Sequence, residues 1–287
     1  YMVTIEKLLK DGTEIIRQRE FNNPFLDVQL ILSHLLKKDR IYLHCHGKDE
    51  IDDYTAEKFY EMASKRNEGY PLQYMTNSQE FMGLDFYVCE GILVPRPDTE
   101  ILVEKIINIV NSGSLKDKYI NILDIGTGSG AIGVSLGYYL KGSMVTLMDI
   151  SDTAIEVSNI NIKKHGLKNV KAVKGDIFNY DFENQKYMIV VSNPPYIESN
   201  VIPSLPEEVS AYEPKLALDG GKDGLDYYRQ IIKVFEKIHE KGAVLAVEIG
   251  YNEKDAVIEI LSNSNLFNLI EYDKDLGGND RVVTGFL

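Results

Sequence analysis

Asn193, Pro194, Pro195 and Tyr196 follow directly on the run Val190-Val191-Ser192. Two successive prolines cannot donate to a strand ladder, so the strand must stop there and leave in a rigid direction. A rigid exit alone asks for neither an Asn before the prolines nor an aromatic ring after them. The set suits a planar –NH2 group. The Pro194 carbonyl is held at a fixed angle, and with the Asn193 side-chain oxygen it can accept both hydrogens of such a group. The nitrogen's electrons then point away from the turn, and Tyr196 can stack on the plane. Amide and exocyclic amine nitrogens are poor nucleophiles because their lone pair is delocalised. Orientation must therefore supply much of any acceleration, and it can be worth ~7–11 kcal/mol.

A second constellation comes earlier, in Ile122-Leu123-Asp124-Ile125-Gly126-Thr127-Gly128-Ser129-Gly130-Ala131-Ile132-Gly133. This run joins an apolar strand to a helix, and its glycines let the backbone approach a ligand that faces the helix N-terminus. Two ligand classes compete for it. Gly128, Gly130 and Gly133 have the spacing of a dinucleotide fingerprint, and Asp149, ending the next strand, stands where an acid would bind a ribose hydroxyl. A nicotinamide oxidoreductase is therefore open. However, Asp124 precedes three alternating glycines, Gly126, Gly128 and Gly130, with Thr127 and Ser129 between them. That order resembles the first motif of class I S-adenosylmethionine methyltransferases. Their ligand is a cationic sulfonium with an amino group and no pyrophosphate, so an acid near the turn is welcome. Asp176 and Ile177 close the third strand, where such enzymes place groups around the adenine.

The elements that must carry these residues follow from periodicity. Residues 119 onward alternate strand and helix signals, with strands at Ile120–Ile125, Met144–Ile150, Val170–Gly175, Met188–Ser192, Ala243–Ile249, Leu269–Tyr272 and Arg281–Phe286. Helices begin near Gly130, Asp152, Leu225 and Asn252. This rhythm implies an α/β fold, a Rossmann-like, doubly wound sheet of seven strands with helices on both faces. Only Asp273–Asp280 separates the last two strands, so they are expected to pair antiparallel. Phe81, Leu84, Phe86, Val88, Ile92 and Val94 alternate around Gly83 and Gly91, which reads as a β-hairpin linker leading to a helix over Thr99–Val110. Before it the chain reads as a small helical bundle. Asn23-Pro24 starts one helix, with Leu26, Leu30, Ile31 and Leu35 as its apolar stripe; Asp53 or Thr55 caps another bearing Phe59, Met62 and Ala63. The expected division is a helical domain over residues 1–78, a hairpin linker over 79–98 and a catalytic domain over 99–287.

The 287 residues are 44% apolar and 26% charged, the balance of a globular chain with a real core. Runs such as Tyr187–Val191 and Ala243–Val247 fall far short of the roughly 18–20 residues of a membrane helix. Lys7, Lys10 and Asp11 break the first apolar stretch, unlike a secretory signal. With Cys45 and Cys89 alone, a reduced cytoplasmic protein is expected. Lys and Arg number 31 against 44 Asp and Glu, a net charge of −13, which counts against a grip on naked nucleic acid. His44-Cys45-His46 looks metal-like, since an extended segment would point both histidines one way. No further ligands cluster nearby, so no metal is expected. Glu248, ending Ala243–Ile249, reads either as a site acid or, in preference, as a capping acid before the helix near Asn252. Arg96 reads equally as a guard of the cofactor mouth or a structural ion pair. Nothing demands a second copy, so a monomer is expected.

Beyond single motifs, the chain resembles the peptide chain release factor glutamine methyltransferases (the PrmC/HemK family) over nearly its whole length. The ordered blocks are Pro71-Leu-Gln-Tyr74, Glu80-Phe-Met-Gly83, Leu93-Val-Pro-Arg-Pro-Asp-Thr-Glu100, Asp124–Gly130, Ser192–Tyr196, Tyr212-Glu-Pro214, Gly220-Gly-Lys-Asp-Gly-Leu-Asp226 and Gly277-Gly-Asn-Asp-Arg281. The resemblance implies methyl transfer from S-adenosylmethionine, leaving S-adenosylhomocysteine, to the glutamine side-chain amide of the Gly-Gly-Gln tip of release factors. It also implies that the N-terminal helical domain helps hold that protein substrate. By position, Gly126–Gly130 would cradle the methionine part, Asp149 would hold the ribose and Ile177 would line the adenine. Asn193 would touch both cofactor and substrate, and Asn193–Tyr196 would grip the glutamine amide. Two departures stand out. Asn77 replaces the usual Gly after Tyr-x-Thr, which Asn tolerates in the left-handed conformation; and Ile177 offers no aromatic stacking. A DNA or RNA amino methyltransferase shares the tetrapeptide and is the alternative; it would need a flipped base and cations along the backbone.

Overall fold

The structure is a computed structural model, and it describes residues 3–19, 22–113, 115–116 and 118–287. The chain falls into two compact units, Tyr1–Ser78 with Pro206–Tyr212, and Gln79–Leu205 with Glu213–Leu287.

In the first unit β1 (Val3–Thr4) leads into α1 (Ile5–Ile15), followed by α2 (Pro24–Leu36), α3 (Arg40–Cys45), β2 (Glu50–Ile51), α4 (Asp53–Asn67) and α5 (Leu72–Thr76). β1 and β2 pair antiparallel. Asn23 caps α2, its side chain accepting from the Leu26 N–H, with Pro24 at the first helical position. The cap of α4 is Asp52, one residue before Asp53 and three before Thr55, the two expected candidates. Its carboxylate takes the Thr55 N–H, which leaves Asp53 already helical. The α2 stripe is likewise centred on Val28, Ile31 and Leu32, which pack with Ile5, Leu8 and Phe59, while Leu30 and Leu35 are only half-buried. Asp27 shares that buried face. It accepts from Arg66 Nε at 2.7 Å, and Glu208, in the segment Pro206–Tyr212 of the same unit, reaches the Arg66 guanidinium at 3.1 Å. Asn77 adopts the left-handed conformation, φ 51°.

The expected extended His44-Cys45-His46 segment is not found. It lies at the end of α3, where residues two apart point to different sides, and the His46 ring stacks on Tyr42. Among the described residues no group of three or more His, Cys, Asp or Glu is placed to hold a metal.

The second unit opens with the hairpin β3 (Gln79–Phe81) and β4 (Leu84–Phe86), turned through Met82 and Gly83 at φ 53° and 71°. All six alternating apolar residues from Phe81 to Val94 are buried. Then come α6 (Glu100–Ser112), β5 (Ile120–Ile125), α7 (Ala131–Tyr139), β6 (Ser143–Asp149), α8 (Asp152–Lys164), β7 (Val170–Lys174) and β8 (Tyr187–Ser192). After β8 the chain contributes α9 (Glu207–Ser210) to the first unit, then returns for α10 (Asp226–Ile238), β9 (His239–Glu248), α11 (Lys254–Asn263), β10 (Leu269–Lys274) and β11 (Asp280–Phe286). The strand order is β10-β11-β9-β8-β5-β6-β7. β11 runs antiparallel to both neighbours, and the other pairs are parallel. The central strands are apolar on both faces because helices cover both. One core packs α6 and α7 on one side, and a second packs α10 and α11 on the other. The strand order reverses between β5 and β8, so a crevice opens at their carboxyl ends.

Candidate active site

The glycine turn leaves β5 at that crevice. Gly126, Gly128 and Gly130 take φ of 70°, 55° and 85°, a backbone path that side-chain-bearing residues rarely follow. The Gly126 and Thr127 N–H groups donate to the Met148 carbonyl at 2.8 and 3.0 Å, stitching the loop to the tip of β6. Asp149, ending β6, accepts from the Gly128 N–H and from the Ser151 N–H, both at 2.9 Å. Each carboxylate oxygen thus keeps lone pairs for a hydroxyl ligand. Burial raises its pKa, and these backbone donors offset the rise in part.

Asp124 lies beneath the loop and is fully buried. Its Oδ2 accepts from Thr127 Oγ1 at 2.6 Å and from the Gly133 N–H at 3.0 Å, so it ties the start of the loop to α7. Its Oδ1 has no hydrogen-bond partner among the described residues, and burial pushes its pKa up to about 7.

The tetrapeptide leaves β8 beside this loop. Ser192 Oγ donates to the Ile125 carbonyl at 2.7 Å and locks the ends of β5 and β8 together. Asn193 Nδ2 donates to Thr99 Oγ1 at 3.4 Å, and no described residue donates to the Asn193 Oδ1 or to the Pro194 carbonyl. Tyr196 turns its hydroxyl inward to Glu248 Oε1 at 3.3 Å. Behind the turn, the Ile197 N–H donates to the Leu218 carbonyl and the Gly220 N–H to the Ile197 carbonyl, both at 2.9 Å, so the glycine-rich stretch after Asp219 backs the tetrapeptide.

These pieces line a single open cavity of about 1160 Å3, mouth included. Gly126, Thr127, Gly128, Ser129, Asp149, Asp176, Ile177, Asn193, Pro194 and Pro195 all face it. Three residues expected at the site do not. Asp124 acts from below the loop. Gly130 is the first-turn glycine, where a side chain would press on Val134 and Leu147 at 3.2 and 3.3 Å, so its smallness serves helix-to-sheet packing. Tyr196 stands behind the cavity wall, its hydroxyl engaged by Glu248. That bond decides between the two readings of Glu248, against the preferred one of a helix cap. The acid that accepts the Gly250 N–H before α11 is Glu253, at 2.9 Å, whereas Glu248 is buried under the tetrapeptide.

Sequence reasoning passed over Thr99 and Tyr227, both of which line the cavity. Thr99 lay in view within Pro97-Asp98-Thr99-Glu100 but carries no charge to mark it. Tyr227 supplies the aromatic ring that Ile177 lacks; it packs edge-on to Phe178 at 5.5 Å, and Gln230 from the same helix donates to the Ile177 carbonyl. Its spacing to Ile231 and Phe235 reads as core. Arg96 combines its two readings. It lines the cavity and gives two hydrogen bonds, at 2.7 and 2.8 Å, to buried Glu213.

The residues present fit a nucleoside bearing an amino-acid arm. A hydroxyl-seeking acid stands on one side, apolar Ile177 and Met148 with Tyr227 form a slot, and a turn of backbone groups faces the remaining length.

Comparison with known proteins agrees with this geometry. The family described as the PrmC N-terminal domain matches residues 7–76, and a methyltransferase domain family matches residues 116–274. A release factor glutamine methyltransferase of Clostridium acetobutylicum is 43% identical over 269 residues, covering 92% of this chain and 93% of its own. One from Clostridium botulinum is 38% identical over 281 residues, covering 97% and 98%. Among solved structures, a methyltransferase from Pyrococcus furiosus (TM-score 0.51, 18% identity, 71% of this chain and 89% of that one) and the human methyltransferase 10 domain containing protein (TM-score 0.52, 18% identity, 71% and 89%) share the fold.

Proposed function

The chain belongs to the release factor glutamine methyltransferase family, and from that premise we propose that it methylates the side-chain nitrogen of the glutamine in the Gly-Gly-Gln tip of peptide chain release factors, using the cavity at the ends of β5, β6 and β8. The protein is an enzyme of the class I methyltransferase fold that methylates a protein glutamine. When bound, S-adenosylmethionine supplies an electrophilic methyl group.

The observation that carries the reading is the pair of free acceptors at the tetrapeptide. With Asn193 Nδ2 committed to Thr99, its Oδ1 and the Pro194 carbonyl are the acceptors left for an –NH2 group. Accepting both hydrogens fixes the amide plane and turns the nitrogen towards the glycine loop. Preorganised acceptors need no rearrangement as positive charge grows on that nitrogen. Asp149 is the ribose-binding acid in this scheme, Gly126–Ser129 the cradle of the methionine arm, and Asp176, Ile177 and Tyr227 the surroundings of the base. Tyr196 steadies the turn from behind the wall. The N-terminal helical unit is the part that recognises the release factor. Such a substrate belongs to the cytoplasm, and among the described residues no helix is long and apolar enough to cross a membrane.

Methyl transfer from labelled S-adenosylmethionine to purified release factors tests the reading. Label should enter a factor with its tip glutamine intact and be absent from one with that glutamine replaced. Label in both, or transfer to DNA or RNA instead, would overturn the assignment.

A further inference from the structure

Arg96 stands between Pro95 and Pro97. A residue before proline is pushed to extended backbone, and Arg96 takes φ −99° and ψ 143°. The flanking rings restrict the main chain further, so the side chain starts from a fixed point on the cavity wall. Its guanidinium is held as well. Nη2 donates to both oxygens of Glu213, at 2.7 and 2.8 Å, and the Glu213 side chain is 1% exposed against 41% for Arg96. The acid is the buried anchor and the arginine the accessible head. A guanidinium has five N–H donors. Glu213 engages Nη2 alone, which leaves the N–H groups of Nε and Nη1 without a partner among the described residues.

The amino-acid arm of S-adenosylmethionine ends in an ammonium and a carboxylate, and the two need opposite partners. The glycine loop spends its donors on itself. The Gly126 and Thr127 N–H groups go to the Met148 carbonyl, that of Gly128 to Asp149 and that of Gly130 to the Thr127 carbonyl. The charged side chains that line the cavity are Asp149, Asp176 and Arg96, so Arg96 is the one cation among these described residues. Its competitor for the carboxylate is the start of α7, where Ala131 and Ile132 offer neutral N–H groups. An ionised donor makes the shorter and stronger bond to a carboxylate. A donor already held in place also loses little freedom when the ligand arrives.

We propose that Arg96 binds the carboxylate of the cofactor's amino-acid arm through the N–H groups that Glu213 leaves open, with Glu213 holding the guanidinium in position. The inference rests on S-adenosylmethionine occupying this cavity.

Isothermal titration calorimetry tests it with S-adenosylhomocysteine and its decarboxylated analogue, whose arm keeps the ammonium. The proteins are the parent, Arg96→Gln, and Arg96→Gln combined with Glu213→Gln. The double variant strands no acid in the interior, so it serves where the single one does not fold. The parent should favour S-adenosylhomocysteine over the analogue about 10- to 100-fold, the worth of a hydrogen bond to a charged group. Either variant should lose that preference. S-adenosylhomocysteine should bind it about 10- to 100-fold more weakly than it binds the parent, while affinity for the analogue changes by no more than about threefold. Three results overturn the proposal. The parent may show no preference; a folded variant may keep the parent's preference, which seats the carboxylate at α7; or affinity for both ligands may fall equally, which makes Arg96 a support of the wall. A parent with no affinity for S-adenosylhomocysteine removes the underlying reading of the cavity as a cofactor site. A parent that binds it, beside variants with the same preference, removes only the role of Arg96.

Discussion

Gly220 presses against the backbone of Tyr196: a methyl group on its α-carbon would lie 2.7 Å from the Tyr196 Cα and 2.8 Å from the Pro195 carbonyl oxygen. Both neighbours are main chain, so neither can swing aside as a flexible side chain would. The loop after Asp219 therefore acts as a mould for the tetrapeptide. Gly220→Ala should cost about 1–3 kcal/mol of stability, as overpacking does, and should reduce kcat while leaving S-adenosylhomocysteine affinity close to the parent's. Parent-like melting and turnover would show that the contact has slack.

Asp149 gives each oxygen to a backbone N–H and still faces the cavity. Asp149→Ala should weaken S-adenosylhomocysteine binding about 10- to 100-fold, the worth of a hydrogen bond to a charged group. Titration calorimetry measures this directly. An unchanged affinity would move the ribose away from β6.

Burial pushes Asp124, Glu248 and Glu253 each up to about 7. A carboxyl whose pKa is raised on folding holds its proton better folded than unfolded. Its contribution is complete below the unfolded value, near 4, and is lost as pH rises through about 7. Glu253→Gln removes one such group while keeping an oxygen to accept the Gly250 N–H. Its Tm should exceed the parent's at pH 8, by a few degrees for each ~1 kcal/mol gained, and the advantage should shrink towards pH 5. An advantage that grows on acidification would contradict the assignment.

Arg66 sits 4% exposed between Asp27 and Glu208 and also donates to the Tyr70 carbonyl. Removing one member of a buried pair strands the other. Arg66→Met should therefore destabilise the chain by about 3–5 kcal/mol in urea unfolding followed by circular dichroism. A loss below about 1 kcal/mol would mean that water reaches the carboxylates.

The seven strands and their order of appearance were legible because each is an apolar run bounded by turn residues, and the antiparallel end followed from a connection too short for a helix. The site was legible where chemistry is written in consecutive residues, as in Gly126–Ser129 and Asn193–Pro195. It was hidden where the chain folds back on itself. Glu248 looks like any acid at the end of a strand until Tyr196 is brought over it. Tyr227 shares the spacing of core residues, and only the turn before α10 aims it into the cavity. Asp124 shows the opposite case: its type and place suggested ligand contact, but a residue pointing into the sheet core serves the loop from beneath. His44 and His46 misled because a six-residue helix is too short to reveal its period.

The central claim is that the Asn193 corner, though it lines the same cavity, acts mainly by orienting the acceptor nitrogen and adds little to cofactor affinity. Asn193→Ala tests it most directly, with kcat on a release factor and S-adenosylhomocysteine affinity measured on the same preparation. The account predicts a loss of roughly 2–4 kcal/mol in transition-state stabilisation with affinity changed by no more than about threefold. Turnover equal to the parent's, or a loss of affinity as large as the loss of rate, would contradict it.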